Sequence, residues 1–325
     1  MNAGKLSPQM LENLIFKHFN NKRQDTIVGP DIGVDCGILS FGDNICVVSS
    51  DPITGAVKDI GRLAVHVSCN DIAAAGIEPI ALVVTIMVPE GASEQELEDI
   101  ALQMGRESSR LNVDIVGGHT EVTNAVNRVI ISCTAIGKGH KEKLITAKGA
   151  RIGDSVLVTK TAGLEGSSIL ATDYENSLIG NIPEELIDEA KSYINHISVV
   201  KEGIIAGKFG VNAMHDVTEG GILGAAWEIA QASKTGIELW RDSIPVTRAT
   251  RAICRHFNLD PLRLISSGCM LMTTDRPKEL KELIQGQGIR CEIIGRIIED
   301  MRVIVTDGRA QPIIPPVRDE LYKLL

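Results

Sequence analysis

Ile60-Gly61-Arg62-Leu63-Ala64-Val65-His66-Val67-Ser68-Cys69-Asn70-Asp71-Ile72-Ala73-Ala74-Ala75-Gly76 is the stretch on which the reading of this chain turns. Ile60, Leu63, Ala64 and Val67 recur at spacings of three and four, the stripe of a helix that buries one face, so a helix is predicted over 58–75. Carried forward, the same stripe meets Asn70 and Asp71 before it returns to Ala74. A carboxylate therefore falls where apolar burial should continue, and an unpaired buried charge is costly. Capping cannot explain a residue inside the helix, so something must compensate Asp71.

Outward from this helix the chain alternates strands, helices and glycine-rich junctions. Upstream, 28–37 carries three glycines, a proline, Asp31 and Asp35, and reads as a loop entering a strand. The β-rich run 45–51 predicts a strand with Asp51 at its tip. Ser7-Pro8 opens a short amphipathic helix over 7–19. Downstream, 80–88 reads as a strand buried on both faces, and Ser93 with Glu96 forms a capping box ahead of a helix whose apolar face is Leu97, Ile100, Ala101, Met104 and Leu111. A short strand at 114–121 breaks into Gly117-Gly118, and another strand covers 129–136. The polar, glycine-flanked stretch 141–153 places a domain boundary near residue 145, giving domains 1–145 and 146–325. In the second, strands are predicted at 155–159, 269–272, 291–294 and 303–305. Helices are predicted after the turn at 162–166 and over 183–194. The run 212–221 repeats the pattern of strand, carboxylate and glycine pair before a helix over 222–232.

The composition bounds the function. With 325 residues, 44% apolar and 23% charged, the chain has room for two packed domains. A formal charge of -9 argues against a nucleic-acid partner. No run reaches the length of a membrane-spanning helix and the first residues lead into no signal-like core, so a cytoplasmic protein without membrane attachment is expected. The seven cysteines form no C-x-x-C pair, and buried, reduced thiols are expected.

Asp35, Asp51, Asp71 and Asp216 share a setting at glycine-rich or strand-to-loop junctions, where a carboxylate can face a cleft. Magnesium takes oxygen ligands, commonly one or two carboxylates plus substrate phosphates, and a shared cation would relieve the repulsion among clustered carboxylates. Taken singly, an aspartate beside glycine is more often a turn or cap residue. Gly117-Gly118-His119-Thr120 and Gly220-Gly221 could bring backbone amides to phosphate, although glycine pairs mostly mark turns. His119 could donate to phosphate or act as a base, and Lys5 could reach a nucleotide from the N-terminus. Structural or solvated roles are the plainer readings of both. Neither a P-loop nor a dinucleotide-binding glycine fingerprint is present.

The ordered set Gly33-Val34-Asp35-Cys36-Gly37, Ser50-Asp51, Asn70-Asp71-Ile72-Ala73-Ala74-Ala75-Gly76, Gly117-Gly118-His119-Thr120, Asp216-Val217-Thr218-Glu219-Gly220-Gly221 and Ser267-Gly268 resembles the aminoimidazole ribonucleotide synthetase-like superfamily over nearly the whole chain. The resemblance implies α/β and α+β architecture: an N-terminal α/β domain whose strands close a barrel across a homodimer interface, plus a C-terminal α+β domain. It implies ATP and Mg2+ as cofactors, with Asp35, Asp51, Asp71 and Asp216 as metal and phosphate ligands. Asn70, Gly117, Gly118, His119, Thr120, Thr218, Gly220 and Lys5 would lie about the nucleotide, and Asp71 and His119 would be the catalytic residues. Within the superfamily the hydrogenase-maturation dehydratase branch is nearest, through Gly61-Arg62-Leu63-Ala64, the Gly-Ile-Glu-Leu run at 236–239 and the Ile-Pro-Val run at 244–246. That branch carries its chemistry on a Pro-Arg-Ile-Cys tail. This sequence closes on Asp319-Glu320-Leu321-Tyr322-Lys323-Leu324-Leu325, with its last cysteine at Cys291.

The expected activity is ATP-dependent phosphoryl transfer to an oxygen of a small or protein-borne acceptor. The alternatives are a catalytically silent nucleotide-binding regulator or maturation partner, and an oligomeric scaffold without ligand.

Overall fold

The computed structural model describes residues 6–19, 23–54, 58–315 and 318–324, and Lys5 lies outside them. The first of two sheets contains β1 (Thr26–Val28), β2 (Gly37–Phe41), β3 (Asn44–Ile53), β4 (Pro79–Pro89), β5 (Asp114–Thr123) and β6 (Ile130–His140), in the order β1-β2-β3-β6-β4-β5. Only the β4–β5 pair is parallel. The predicted central helix forms as Ile60–Ala74 and packs on β3 and β6, and Glu94–Leu111 packs against it. The capping box holds, with the Glu96 N–H donating to Ser93 Oγ at 3.1 Å. The two helices cross closely because Gly61 has no side chain: a Cβ there would lie 2.6 Å from the Ile100 carbonyl.

Among the described residues only one face of this sheet is covered by helices. Along β4, Leu82, Val84, Ile86 and Val88 are buried, whereas Ile80 and Val83 are exposed. The expectation of a strand buried on both faces is thereby corrected, since helices cover a single side. Two further readings change. The strand carrying Asp51 runs on to Ile53, so Asp51 pairs with Cys133 inside the ladder and is not at a strand tip. Nor does the 114–121 strand break at its glycine pair. β5 continues through Gly117-Gly118, and the register with β4 shifts there, as in a β-bulge. Gly118 has a φ of 154°, and a Cβ on it would fall 1.8 Å from the Val84 carbonyl oxygen, so glycine is needed for the two strands to pair.

The second sheet contains β7 (Ser155–Thr159), β8 (Ala213–Val217), β9 (Gly236–Trp240), β10 (Cys269–Thr274), β11 (Cys291–Ile298), β12 (Arg302–Thr306) and β13 (Arg309–Pro312), in the order β13-β12-β9-β11-β7-β10-β8. All of its residues in β8 and β10 are buried, as expected of strands covered on both faces. The helix Gly221–Ser233 packs on β8. Helices Val200–Phe209, Arg248–Phe257 and Pro277–Gln285 were not predicted from the sequence. At the N-terminus the expected single helix is three short pieces, Pro8–Met10, a π-helical Leu11–Ile15 and a 3-10 turn Phe16–His18. Leu11 and Phe16 pack against the core of the second half. Six cysteines are buried and Cys46 is half-buried, all as free thiols. Among the described residues no helix is long and apolar enough to cross a membrane.

Candidate functional site

The four aspartates come from four separate elements and converge. Asp71 lies near the end of the Ile60–Ala74 helix, Asp51 on β3, Asp35 in the loop before β2, and Asp216 on β8 of the second sheet. Ser49, two residues before Asp51 and so on the same face of β3, links three of them. Its Oγ lies 2.5 Å from Asp71 Oδ2, 3.0 Å from the Asp35 carbonyl and 3.5 Å from Asp51 Oδ2. Burial, followed by the charges of Asp216 and Asp51, drives the Asp71 carboxyl well above the usual range. The single Ser49 hydroxyl proton can be donated to Asp71 Oδ2, to the Asp35 carbonyl or to Asp51 Oδ2.

Asp216 is the most isolated member. It is 1% exposed, and among the described residues neither of its carboxylate oxygens has a hydrogen-bond partner. Burial pushes its pKa up to about 6, against the opposing influence of His215. His215 Nδ1 lies 3.0 Å from Asp35 Oδ2 and 3.8 Å from Asp216 Oδ1, while Nε2 lies 2.9 Å from Glu228 Oε2. Burial disfavours a charged imidazole, but Asp35, Asp216 and Glu228 outweigh it and hold His215 well above the ordinary histidine range. The Cys36 thiol, beside this cluster, is pushed far up by burial and by the charges of Asp71 and Asp35, so it is no nucleophile at neutral pH. Next to Asp35 and His215 a cavity of about 170 Å³ opens, walled by Leu11 and Phe16 on one side and by Glu219 and Asp319 on another.

The other expected residues fare differently. Asn70 faces away from the carboxylates: its Nδ2 donates to the Ile197 carbonyl and its Oδ1 accepts the Val199 N–H, both at 2.8 Å. It ties the helix to the second half of the chain. The Gly220 N–H donates to Asp319 Oδ2 at 2.7 Å, so the amide expected to meet phosphate is engaged by a carboxylate from the C-terminal segment. The Thr218 carbonyl accepts the Gly221 N–H and closes the turn into the following helix. Gly117, Gly118, His119 and Thr120 are exposed on edge strand β5. Asp51, Cys133, Val84 and Gly118 stand in one row across β3, β6, β4 and β5, so Gly118 is three strand spacings, roughly 14 Å, from Asp51. His119 beside it meets Glu121 at 3.2 Å and is not brought to the carboxylates within the protomer.

Sequence reasoning passed over Ser49, His215, Glu228 and Asp319. A signal for Glu228 was present, since it is the sole charged residue of the otherwise apolar helix Gly221–Ser233. His215 gave none, because neighbours on a strand ordinarily point to opposite faces.

Family models match both halves: the N-terminal domain of AIR synthase related protein over residues 33–138, and the C-terminal domain of the same family over 151–308. The chain belongs to the AIR synthase related protein family. Within it the chain is similar to a putative hydrogenase expression/formation protein of Methanocaldococcus jannaschii, 28% identical over 94% of this chain and 91% of that one. It is 30% identical to the carbamoyl dehydratase HypE of Bradyrhizobium diazoefficiens, over 94% of this chain and 86% of the other. The fold matches a crystal structure of the hydrogenase maturation protein HypE in complex with ATP, with a TM-score of 0.70 and 22% identity over 98% of this chain and 97% of that one. The two-domain fold and the nearness to the HypE branch agree with the sequence-based expectation.

Proposed function

We propose that this chain binds ATP through divalent cations held by Asp35, Asp51, Asp71 and Asp216, and uses it to activate an oxygen of a small or protein-borne acceptor by phosphorylation. The observation that carries this reading is Asp216: two buried carboxylate oxygens without a hydrogen-bond partner among the described residues, beside three further aspartates. A fold does not retain such a group for stability, and the donor set is all hard oxygen, which suits magnesium. Bound magnesium would supply charge neutralisation between the phosphates and the carboxylates. The chain's own residues then position the triphosphate, with Ser49 holding Asp71 and Asp51 in register and the cavity beside Asp35 giving access to the cluster. The ATP complex of the structurally similar HypE supports the choice of nucleotide.

The protein works as a homodimer in this reading, with a domain boundary near residue 145. Support comes from β5, an edge strand of ten residues whose Ile115, Val116 and Val122 are 40%, 61% and 68% exposed. An uncovered apolar edge of this length invites pairing. A second copy against the open sheet face would also bring a β5 strand, with His119, nearer to nucleotide than the protomer alone can.

Asp71→Asn tests the site: the variant keeps its circular dichroism spectrum and loses magnesium-dependent ATP binding by calorimetry. Unchanged ATP affinity would show that the carboxylates serve another purpose. The distance of His119 from the cluster favours a second reading, a nucleotide-binding regulator without turnover. Release of ADP from magnesium, ATP and candidate acceptors separates the two.

A further inference from the structure

Glu228 fixes how His215 presents its ring. The 2.9 Å contact between His215 Nε2 and Glu228 Oε2 is a hydrogen bond in which the ring N–H donates to carboxylate. A histidine that ligates a metal through one nitrogen typically anchors the other in this way. The free nitrogen, Nδ1, points at Asp35 and Asp216. Its 3.0 Å contact with Asp35 Oδ2 does not have the direction of an N–H···O hydrogen bond, and Nδ1 has no hydrogen-bond partner among the described residues. One ligand atom each from Asp35, His215 and Asp216 lie within 4.8 Å of one another. Ligands about 2.1 Å from a shared ion stand about 3 Å apart when adjacent and about 4.2 Å apart when opposite. The observed 3.0 and 3.8 Å fall in that interval. Burial differs in a useful way: the side chains of His215 and Asp216 are 3% and 1% exposed, while Asp35 is 20% exposed toward the cavity, leaving room for water or phosphate to complete the coordination.

We propose that Asp35, His215 Nδ1 and Asp216 form a mixed nitrogen and oxygen site for a first-row transition cation of the manganese class, with Glu228 as the positioning residue that orients His215. An imidazole ligand shifts preference away from magnesium, which is satisfied by oxygen alone, and toward manganese and its neighbours. The inference deepens the proposed function by naming the metal of one position in the cluster. It rests on the cluster holding a cation, and not on nucleotide binding.

The test uses full-length protein without nucleotide, Mn2+ as the probe, and electron paramagnetic resonance with pulsed detection of nitrogen coupling. Wild-type protein should bind Mn2+ at least tenfold more tightly than Mg2+ in competition, with 14N modulation from a directly bound imidazole. His215→Gln should lose the modulation and bring the two affinities within threefold of each other. Glu228→Gln should keep the modulation while weakening Mn2+ binding about tenfold. Bound Mn2+ without 14N modulation, or modulation that persists in His215→Gln, overturns the assignment and leaves the all-oxygen reading standing. Should His215→Gln fail to fold, the wild-type spectrum alone decides. If wild-type protein binds neither cation, the inference fails together with the cation reading of the proposed function.

Discussion

Glu165, at the start of the helix Leu164–Asp173, allows a buried charge to be weighed directly. It is 5% exposed, and its Oε2 has no hydrogen-bond partner among the described residues. Burial, opposed by Ser267 and reinforced by the charges of Glu219 and Asp319, raises its pKa from 4.5 to about 7. A carboxyl whose folded value is raised contributes stability that is complete below its unfolded value and is lost as the pH climbs to the folded one. For Glu165 that window runs from about pH 4.5 to about pH 7. At about 1.4 kcal/mol per pH unit the loss is about 3 kcal/mol at pH 8, taken as an order of magnitude. Glu165→Gln keeps the shape and removes the titration. Metal-free protein carrying the substitution should therefore melt about 6 °C or more above wild type at pH 8, at about 2 °C or more per kcal/mol for a chain of this size. At pH 5 the gap should shrink to about 2 °C, because the unfolded carboxyl is then only partly ionised. Differential scanning calorimetry in EDTA at the two pH values measures both. A variant that melts below wild type at pH 8, or a gap that does not change with pH, refutes the view that Glu165 is buried at the expense of stability.

Two further outcomes follow from the packing. Glu107 is buried between Arg62, His66 and Arg110, with contacts of 3.0 to 3.2 Å. Glu107→Ala leaves the largely buried Arg62 guanidinium and the His66 ring without their carboxylate partner and should cost about 3 kcal/mol in urea unfolding, whereas a loss below about 1 kcal/mol would place the network at the solvated surface. Gly118→Val should splay β5 from β4, because the added Cβ meets the Val84 carbonyl at 1.8 Å. Light scattering should then show the monomer mass, and a variant that keeps the wild-type mass would remove β5 from the dimer contact.

Asp71 could be found from sequence because a single periodic stripe forced the question of what a carboxylate was doing inside it. Asp35 and Asp216 were visible through their glycine-rich company, and Asp51 through its place at the end of a β-rich run. That company misled at Gly117-Gly118, where a pair of glycines commonly means a turn. Here it serves a bulge and a close strand approach, a requirement imposed by Val84, more than thirty positions earlier. Asn70 was misassigned for a related reason. Its chain neighbour faces the cluster, but its own amide is consumed by the backbone at Ile197 and Val199, contacts 127 and 129 residues away. The three unpredicted helices belong to the second half, yet Arg248–Phe257 and Pro277–Gln285 bury only one face, Ala249, Thr250, Ile253 and Cys254 in the first and Leu280 and Ile284 in the second, so their helical spacing was legible and was passed over. His215 and Glu228 could be connected only once β8 and its covering helix were seen together.

The neighbouring positions of Asn70 and Asp71 carry a mechanical consequence. One residue fastens the helix to the far half of the molecule and the next places a carboxyl in the aspartate cluster, with only one helical step of about 1.5 Å between them. A twist or slide of either half reaches Asp71 with almost no slack, much as a hinge pin set beside a lock bolt moves the bolt whenever the door sags. Loosening the Asn70 fastening would thus be felt first as a misplaced acid, before any loss of the fold itself.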